Sequence, residues 1–110
     1  MGPHHLPITD LDIDDVKRGL ADGSILLVDV REDAEFARGR IPGALSMPLS
    51  RFDPEALAPW EGQRVVFSCA AGVRSRQAAD ASIARGLPHA AHYVGGFKDW
   101  VMAGEPVEAR

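Results

Sequence analysis

The stretch Val65-Val66-Phe67-Ser68-Cys69-Ala70-Ala71-Gly72-Val73-Arg74-Ser75 decides how the rest of the chain is read. A short apolar segment runs straight into the only cysteine, then a loop of small residues, then an arginine and a helix-like sequence. That layout places one thiol at the mouth of a strand, under backbone N–H groups and beside the positive end of a helix. Successive N–H groups in a tight loop form a concave anion site, and a helix N-terminus adds partial positive charge. A thiol held there is biased toward thiolate, the species that reacts. A helix terminus is worth about 0.3–1 kcal/mol to an anion, and up to about 2 when partly buried. At about 1.36 kcal/mol per pKa unit, the dipole alone takes a cysteine from about 8.5 to about 7. Loop amides and Arg74 lower it further, and burial against apolar neighbours opposes them. Cys69 is therefore read as a nucleophile in preference to a buried structural cysteine.

Outward from this loop the chain alternates strands and helices. Arg64–Ser68 is a buried strand, and Ser75–Arg85 a helix whose Ala78, Ala79, Ser82 and Ile83 make a small apolar face, with Gly86 as its stop. Ser24–Val30 is a continuous apolar run bounded by glycine and charge, as a strand buried on both faces reads. Before it, Asp12 caps a helix with Ile13, Val16 and Leu20 at helical spacing; Gly19 weakens that helix and Gly23 ends it. Glu32–Arg38 is a short helical segment, Gly39–Ala44 a turn, and Ala44–Leu49 a brief strand. Pro54 opens a short helix around Pro54-Glu55-Ala56-Leu57. Ala90–Val94 is a final strand, Gly95-Gly96 a turn, and Phe97–Ala103 a terminal helix carrying Trp100. This alternation predicts an α/β fold with a mostly parallel sheet covered by helices. Ligands in such sheets sit beyond the carboxyl ends of the strands. Cys69 falls at one of those ends.

The 110 residues suit one domain with one core. Residues 1–10 are expected to form an N-terminal extension, poorly ordered at its start, and residues 11–110 a single domain. His4 and His5 carry no functional weight in this reading. A net charge of −4 argues against binding nucleic acid or an anionic membrane by bulk electrostatics. The longest aliphatic run, Ile25-Leu26-Leu27-Val28, is far short of a membrane span, and no signal peptide is visible. A single cysteine forms no internal disulfide, so a reducing, cytoplasmic location is expected.

The chain resembles the rhodanese-homology family of sulfurtransferases in its single-domain form, from about Leu11 to Glu108. The resemblance rests on Leu27-Val28-Asp29-Val30-Arg31-Glu32, on Glu35-Phe36 and on Gly39-Arg40-Ile41-Pro42-Gly43-Ala44. It is completed by Cys69-Ala70-Ala71-Gly72-Val73-Arg74-Ser75 and by Val94-Gly95-Gly96-Phe97 with Trp100 and Gly104-Glu105-Pro106-Val107. It implies a rhodanese-like fold, a five-stranded mostly parallel sheet with helices on both faces. It also implies a cycle in which Cys69 takes a sulfane sulfur from a small anionic donor such as thiosulfate and holds it as a persulfide. Cyanide, a thiol or a sulfur-accepting protein would then remove it, with no cofactor. The amides of Ala70, Ala71, Gly72, Val73, Arg74 and Ser75 would hold the anion, with Cys69 and Arg74 as the catalytic pair. Related phosphatases and arsenate reductases keep one more residue between cysteine and arginine, and often a histidine where Ser68 stands. The shorter loop here suits a cysteine-bound sulfur better than a tetrahedral oxyanion. Family members specialised for thiosulfate often carry basic side chains where this chain has Ala70 and Ala71. Arg40 stands where the family commonly shows histidine. A catalytically idle binding or signalling module is the alternative from a different class.

The remaining candidates have blander readings. Asp29 and Arg31 suggest a strand-end ion pair, with Glu35 bridging to Arg31 as structural support near the site. Arg74 suits either an oxyanion clamp or a bracing pair with an acid. His89 and His92 lack accompanying ligands and, on a strand, point to opposite faces; surface or loop positions and no metal are expected. Trp60 and Trp100 are expected to cap the core.

Overall fold

Alternation along two central strands builds two cores on opposite faces of one sheet. The computed structural model describes residues 7–57 and 63–109. Its elements are β1 (Thr9–Leu11), α1 (Ile13–Asp22), β2 (Ile25–Asp29), α2 (Asp33–Arg38), β3 (Leu45–Ser46), β4 (Arg64–Ser68), α3 (Val73–Ala84), β5 (Ala91–Tyr93) and α4 (Gly96–Met102), with single 3-10 turns at Leu49–Arg51 and Pro54–Ala56. Ile25, Leu27 and Val66 pack on Val16 of α1 and Trp100 of α4. On the other face, Val28, Val65 and Phe67 pack on Ala78 and Ala79 of α3. The period of two sends neighbouring side chains to opposite layers, and both layers are covered.

The sheet is parallel throughout, in the order β1-β5-β4-β2-β3. The connection from β2 runs outward to β3, whereas that from β4 runs the other way to β5. Their exit loops part between β2 and β4, which is where such sheets bind ligands. The loop after β4 begins at Cys69.

Local chemistry sets the element ends. Asp12 accepts from the Asp15 amide at 2.9 Å, while the Asp15 carboxylate accepts from the Asp12 amide at 3.1 Å, a reciprocal cap that starts α1. Helix α3 starts at Val73, two residues earlier than expected, because Gly72 already turns the chain into it. The strand expected over Ala44–Leu49 shrinks to two residues, since Pro48 precedes a 3-10 turn. Strand β1 was not anticipated, and it places Thr9 and Asp10, assigned above to the N-terminal extension, at the edge of the sheet beside β5. The start of that extension, His4, His5 and Trp60 lie outside the described residues. Trp100 is buried, and its indole N–H donates to the Pro106 carbonyl at 2.6 Å.

A buried ion pair ties the β2 exit to the rest. Arg31 Nη2 lies 2.9 Å from Asp29 Oδ2, with both side chains 5% exposed. The same nitrogen donates to the Gly39 carbonyl at 2.7 Å, and the guanidinium lies 4.3 Å from the Phe97 ring centroid. Thus β2, the turn after α2 and α4 converge on one side chain. Arg40 gains a structural account: it stacks on Phe36, donates to the Phe36 carbonyl at 3.3 Å and pairs through its backbone with Glu108. Its guanidinium helps dock the C-terminal tail.

Arg31→Ala leaves Asp29 buried without its cation and the Gly39 carbonyl without its donor. The expected loss is about 3–5 kcal/mol, read as a lower midpoint in denaturant unfolding.

Candidate active site

Cys69 follows directly on β4, is 1% exposed and has a free thiol. The backbone around it is turned by two hydrogen bonds from the start of α4. The Phe97 amide donates to the Cys69 carbonyl at 2.7 Å, and the Lys98 amide to the Ala70 carbonyl at 3.0 Å. In a trans peptide the N–H points opposite to its C=O. Pinning these carbonyls on α4 therefore turns the Ala70 and Ala71 amides toward the sulfur side of the loop.

Glycine makes this close approach possible at two positions. Gly96 has φ 67°, and a Cβ there would lie 2.5 Å from the Cys69 carbonyl oxygen and 2.7 Å from that of Ala70. Gly72 has φ 91°, and its Cβ would collide with the Val94 carbonyl oxygen. In that left-handed conformation the Gly72 amide donates to Cys69 Sγ at 3.0 Å.

Burial pushes the Cys69 thiol up, but hydrogen bonds outweigh it: the Ser75 hydroxyl and the amides of Ser75, Ala71 and Gly72 leave it below its ordinary value. Ser75 is fully buried, with Oγ 3.4 Å from Sγ. Ala71 and Val73 turn their side chains to solvent, Val73 being 68% exposed, and Ala70 is half-buried.

Arg74 takes the bracing arrangement. Its Nη1 and Nη2 lie 2.6 and 3.0 Å from the two carboxylate oxygens of Glu35, a fork-on-fork pair that links α3 to α2. The expected bridge from Glu35 to Arg31 is corrected accordingly: only the Glu35 backbone carbonyl meets Arg31, at 3.5 Å. The carboxylate is turned away by its two stronger bonds to Arg74. Arg74 beside it, joined by the Glu32 amide, outweighs burial and holds the Glu35 carboxyl down at about 2.

The histidines differ most from expectation. Both are buried; His89 keeps an expected loop position, whereas His92 lies inside β5. His89 Nε2 lies 3.1 Å from the Leu57 carbonyl. His92 bridges Ser75 Oγ (Nδ1, 2.9 Å) and Asp10 Oδ1 (Nε2, 3.1 Å). Strand β5 begins at Ala91, beyond His89, so alternation along one strand does not relate the two rings. The missed signal is positional: a histidine inside a strand of a two-sided buried sheet needs hydrogen-bond partners.

A buried thiol under converging amides at the switch point of a parallel α/β sheet defines the class to which fold and site point. The model for the rhodanese-like domain matches residues 12–103, and the chain belongs to this family. A Mus musculus protein, thiosulfate sulfurtransferase/rhodanese-like domain-containing protein 3, is 39% identical over 102 residues, which cover 79% of this chain. The match spans 64% of that relative, less than two thirds of its length. A sulfurtransferase of Allochromatium vinosum is 32% identical over 103 residues, covering 93% of this chain and 96% of its own. Among solved structures, a human single-domain sulfurtransferase superposes with a TM-score of 0.72 at 31% identity, covering 88% of this chain and 96% of that one. No helix among the described residues is long and apolar enough to cross a membrane.

The site geometry leads to two expected outcomes. Glu35→Gln removes a carboxylate that folding keeps ionised. Because its pKa falls on folding from 4.5 to about 2, its contribution is complete above pH 4.5 and is lost as pH falls through that window. The variant is expected to be about 1–2 kcal/mol less stable at pH 7, after allowance for solvent screening, with the deficit shrinking toward pH 2. Denaturant melts across pH check it. Gly72→Val forces a side chain onto the Val94 carbonyl in an unfavourable conformation, so Cys69 alkylation by iodoacetamide is expected to slow at least about tenfold at neutral pH, as loss of the amide bond raises the thiol pKa.

Proposed function

We propose that the protein is a sulfurtransferase that carries a sulfane sulfur on Cys69 as a persulfide. The carrying observation is the Cys69 sulfur itself, held 3.0 Å from the Gly72 amide and kept below its ordinary pKa. With thiosulfate as donor, the Cys69 thiolate attacks the sulfane sulfur, a new S–S bond forms, and sulfite leaves with the electrons of the broken bond. A cyanide or thiolate acceptor then attacks the outer sulfur and releases the Cys69 thiolate. Splitting one transfer into two displacements is what a covalent carrier provides. Amides aimed into the loop stabilise the persulfide anion without a cofactor.

The engagement of Arg74 by Glu35 favours sulfur over phosphoryl chemistry. A phosphoryl clamp needs its guanidinium turned into the loop, and here one N–H donor on each terminal nitrogen is committed to Glu35. Arg74 is accordingly a positioning residue in this reading. The donor's oxygens depend on backbone amides, and the near-complete burial of Cys69 selects a small donor. Relatives that include thiosulfate:glutathione sulfurtransferases of Saccharomyces cerevisiae and Homo sapiens and a Bacillus subtilis protein named for sulfur carriage support a thiol or a sulfur-accepting protein as acceptor. A free thiol used this way belongs in a reducing compartment such as the cytoplasm.

Intact-mass measurement after thiosulfate treatment tests the reading. The expected result is a gain of one sulfur atom, removed by cyanide and absent in Cys69→Ser. Full sulfur gain in that variant would remove Cys69 from the mechanism, and no gain in the parent would remove the sulfurtransferase reading.

A further inference from the structure

A hydrogen-bond chain, buried at Ser75 and His92, leads away from the Cys69 sulfur. It runs from Cys69 Sγ to Ser75 Oγ (3.4 Å), to His92 Nδ1 (2.9 Å), and from His92 Nε2 to Asp10 Oδ1 (3.1 Å). Ser75 and His92 are buried, and the Asp10 side chain, 60% exposed, meets solvent. Ser75, His92 and Asp10 come from α3, β5 and β1, so tertiary structure alone assembles the chain.

The polarity of the chain follows from which atoms donate. An ionised carboxylate only accepts, so Nε2 carries a proton toward Asp10. In the neutral ring Nδ1 then accepts from the Ser75 hydroxyl, and Ser75 Oγ accepts from the Cys69 thiol. The chain also works in reverse. If the thiol proton passes to Ser75 Oγ while the Ser75 proton passes to Nδ1, the products are a thiolate and an imidazolium. Atoms and charge balance, and every donor still has an acceptor: Nδ1–H donates to Ser75, Ser75 donates to the sulfur, and Nε2–H donates to Asp10.

We propose that His92 is a positioning residue that takes and holds the Cys69 proton through Ser75, with Asp10 stabilising the resulting imidazolium. The proposal deepens the sulfur-transfer reading and rests on Cys69 as the nucleophile. Neither displacement consumes the proton, so His92 holds it through the persulfide half of the cycle. The charges on the elements packed against His92 are few. Asp10 is on β1. On α3, Arg74 is paired with Glu35, and Arg76 and Asp80 are exposed. On β4, Phe67 lies beside His92 in register, and Arg64, at the strand's far end, is exposed. Asp10 is thus the one formal charge in contact with the ring among the described residues. The lowered Cys69 pKa, to which the Ser75 hydroxyl contributes, agrees with this direction.

The test is the rate of Cys69 alkylation by iodoacetamide against pH, which reads thiolate whether or not sulfur is transferred. His92→Gln keeps a polar group but cannot hold the proton, and it is expected to slow alkylation about tenfold below the parent's inflection, one pKa unit upward. Asp10→Asn, at the exposed end of the chain, is expected to slow it about threefold, the scale of one solvent-facing charge. Reciprocally, alkylating Cys69 should move the His92 ring titration followed by NMR, because coupled groups titrate together. Profiles of folded variants that superimpose on the parent overturn the proposal. If His92→Gln does not fold, an unmoved Asp10→Asn profile and an unmoved His92 titration overturn it equally. Shifted profiles without sulfur gain by mass would uphold the relay and reject the sulfurtransferase reading.

Discussion

The hydrogen bonds from the Phe97 and Lys98 amides to the carbonyls of Cys69 and Ala70 are the constraint on which the site depends. They fix the direction of two peptide planes and so turn the loop's donors toward the sulfur. Gly96 permits that approach, and Gly72 carries the turn into α3. Phe97 serves twice, because its ring also receives the Arg31 guanidinium. The same helix that orients the loop is thereby anchored to the exit of β2. Loop geometry and crossover geometry are one problem, solved at one residue.

Charge around the sulfur is cancelled in pairs. Asp29 neutralises Arg31 in the interior, and Glu35 neutralises Arg74 at the rim. The groups that favour the anion at Cys69 include oriented dipoles: the Ser75 hydroxyl and the amides of Ser75, Ala71 and Gly72. Dipoles fixed by the fold need little rearrangement when charge develops, and this is the form of stabilisation that works best where water is excluded. It also keeps the site local within a chain of net charge −4.

The parts of the fold legible in the sequence were those with strong local signals. The reciprocal cap at Asp12, the apolar runs of β2 and β4 and the small face of α3 each declare themselves within a few residues. The turn from Cys69 into α3 declared itself in the same way, because the small residues and glycine that shape it are consecutive. Strand β1 did not, since Thr9-Asp10-Leu11 buries only Leu11 and offers no alternation to read. Pairings of distant residues were equally hidden. Glu35 meets Arg74 across 39 positions, and Asp10 meets His92 across 82, so neither partner could be chosen from spacing. Arg40 looked anomalous for the same reason: Glu108, which it meets, lies at the other end of the chain.

The sheet order has a consequence for assembly. Among the described residues the first strand, β1, pairs with the last, β5, and with no other strand. Closing that pair joins residues 82 apart in sequence, Thr9 and Ala91, and incurs the largest loop-closure entropy among the strand pairings. During synthesis the central strands β2 and β4 are available to each other well before β5 emerges, whereas β1 must wait for it. A three-residue edge strand whose partner comes late is also the first to fray. Growth of the nascent chain and breathing of the finished one therefore meet at the same seam.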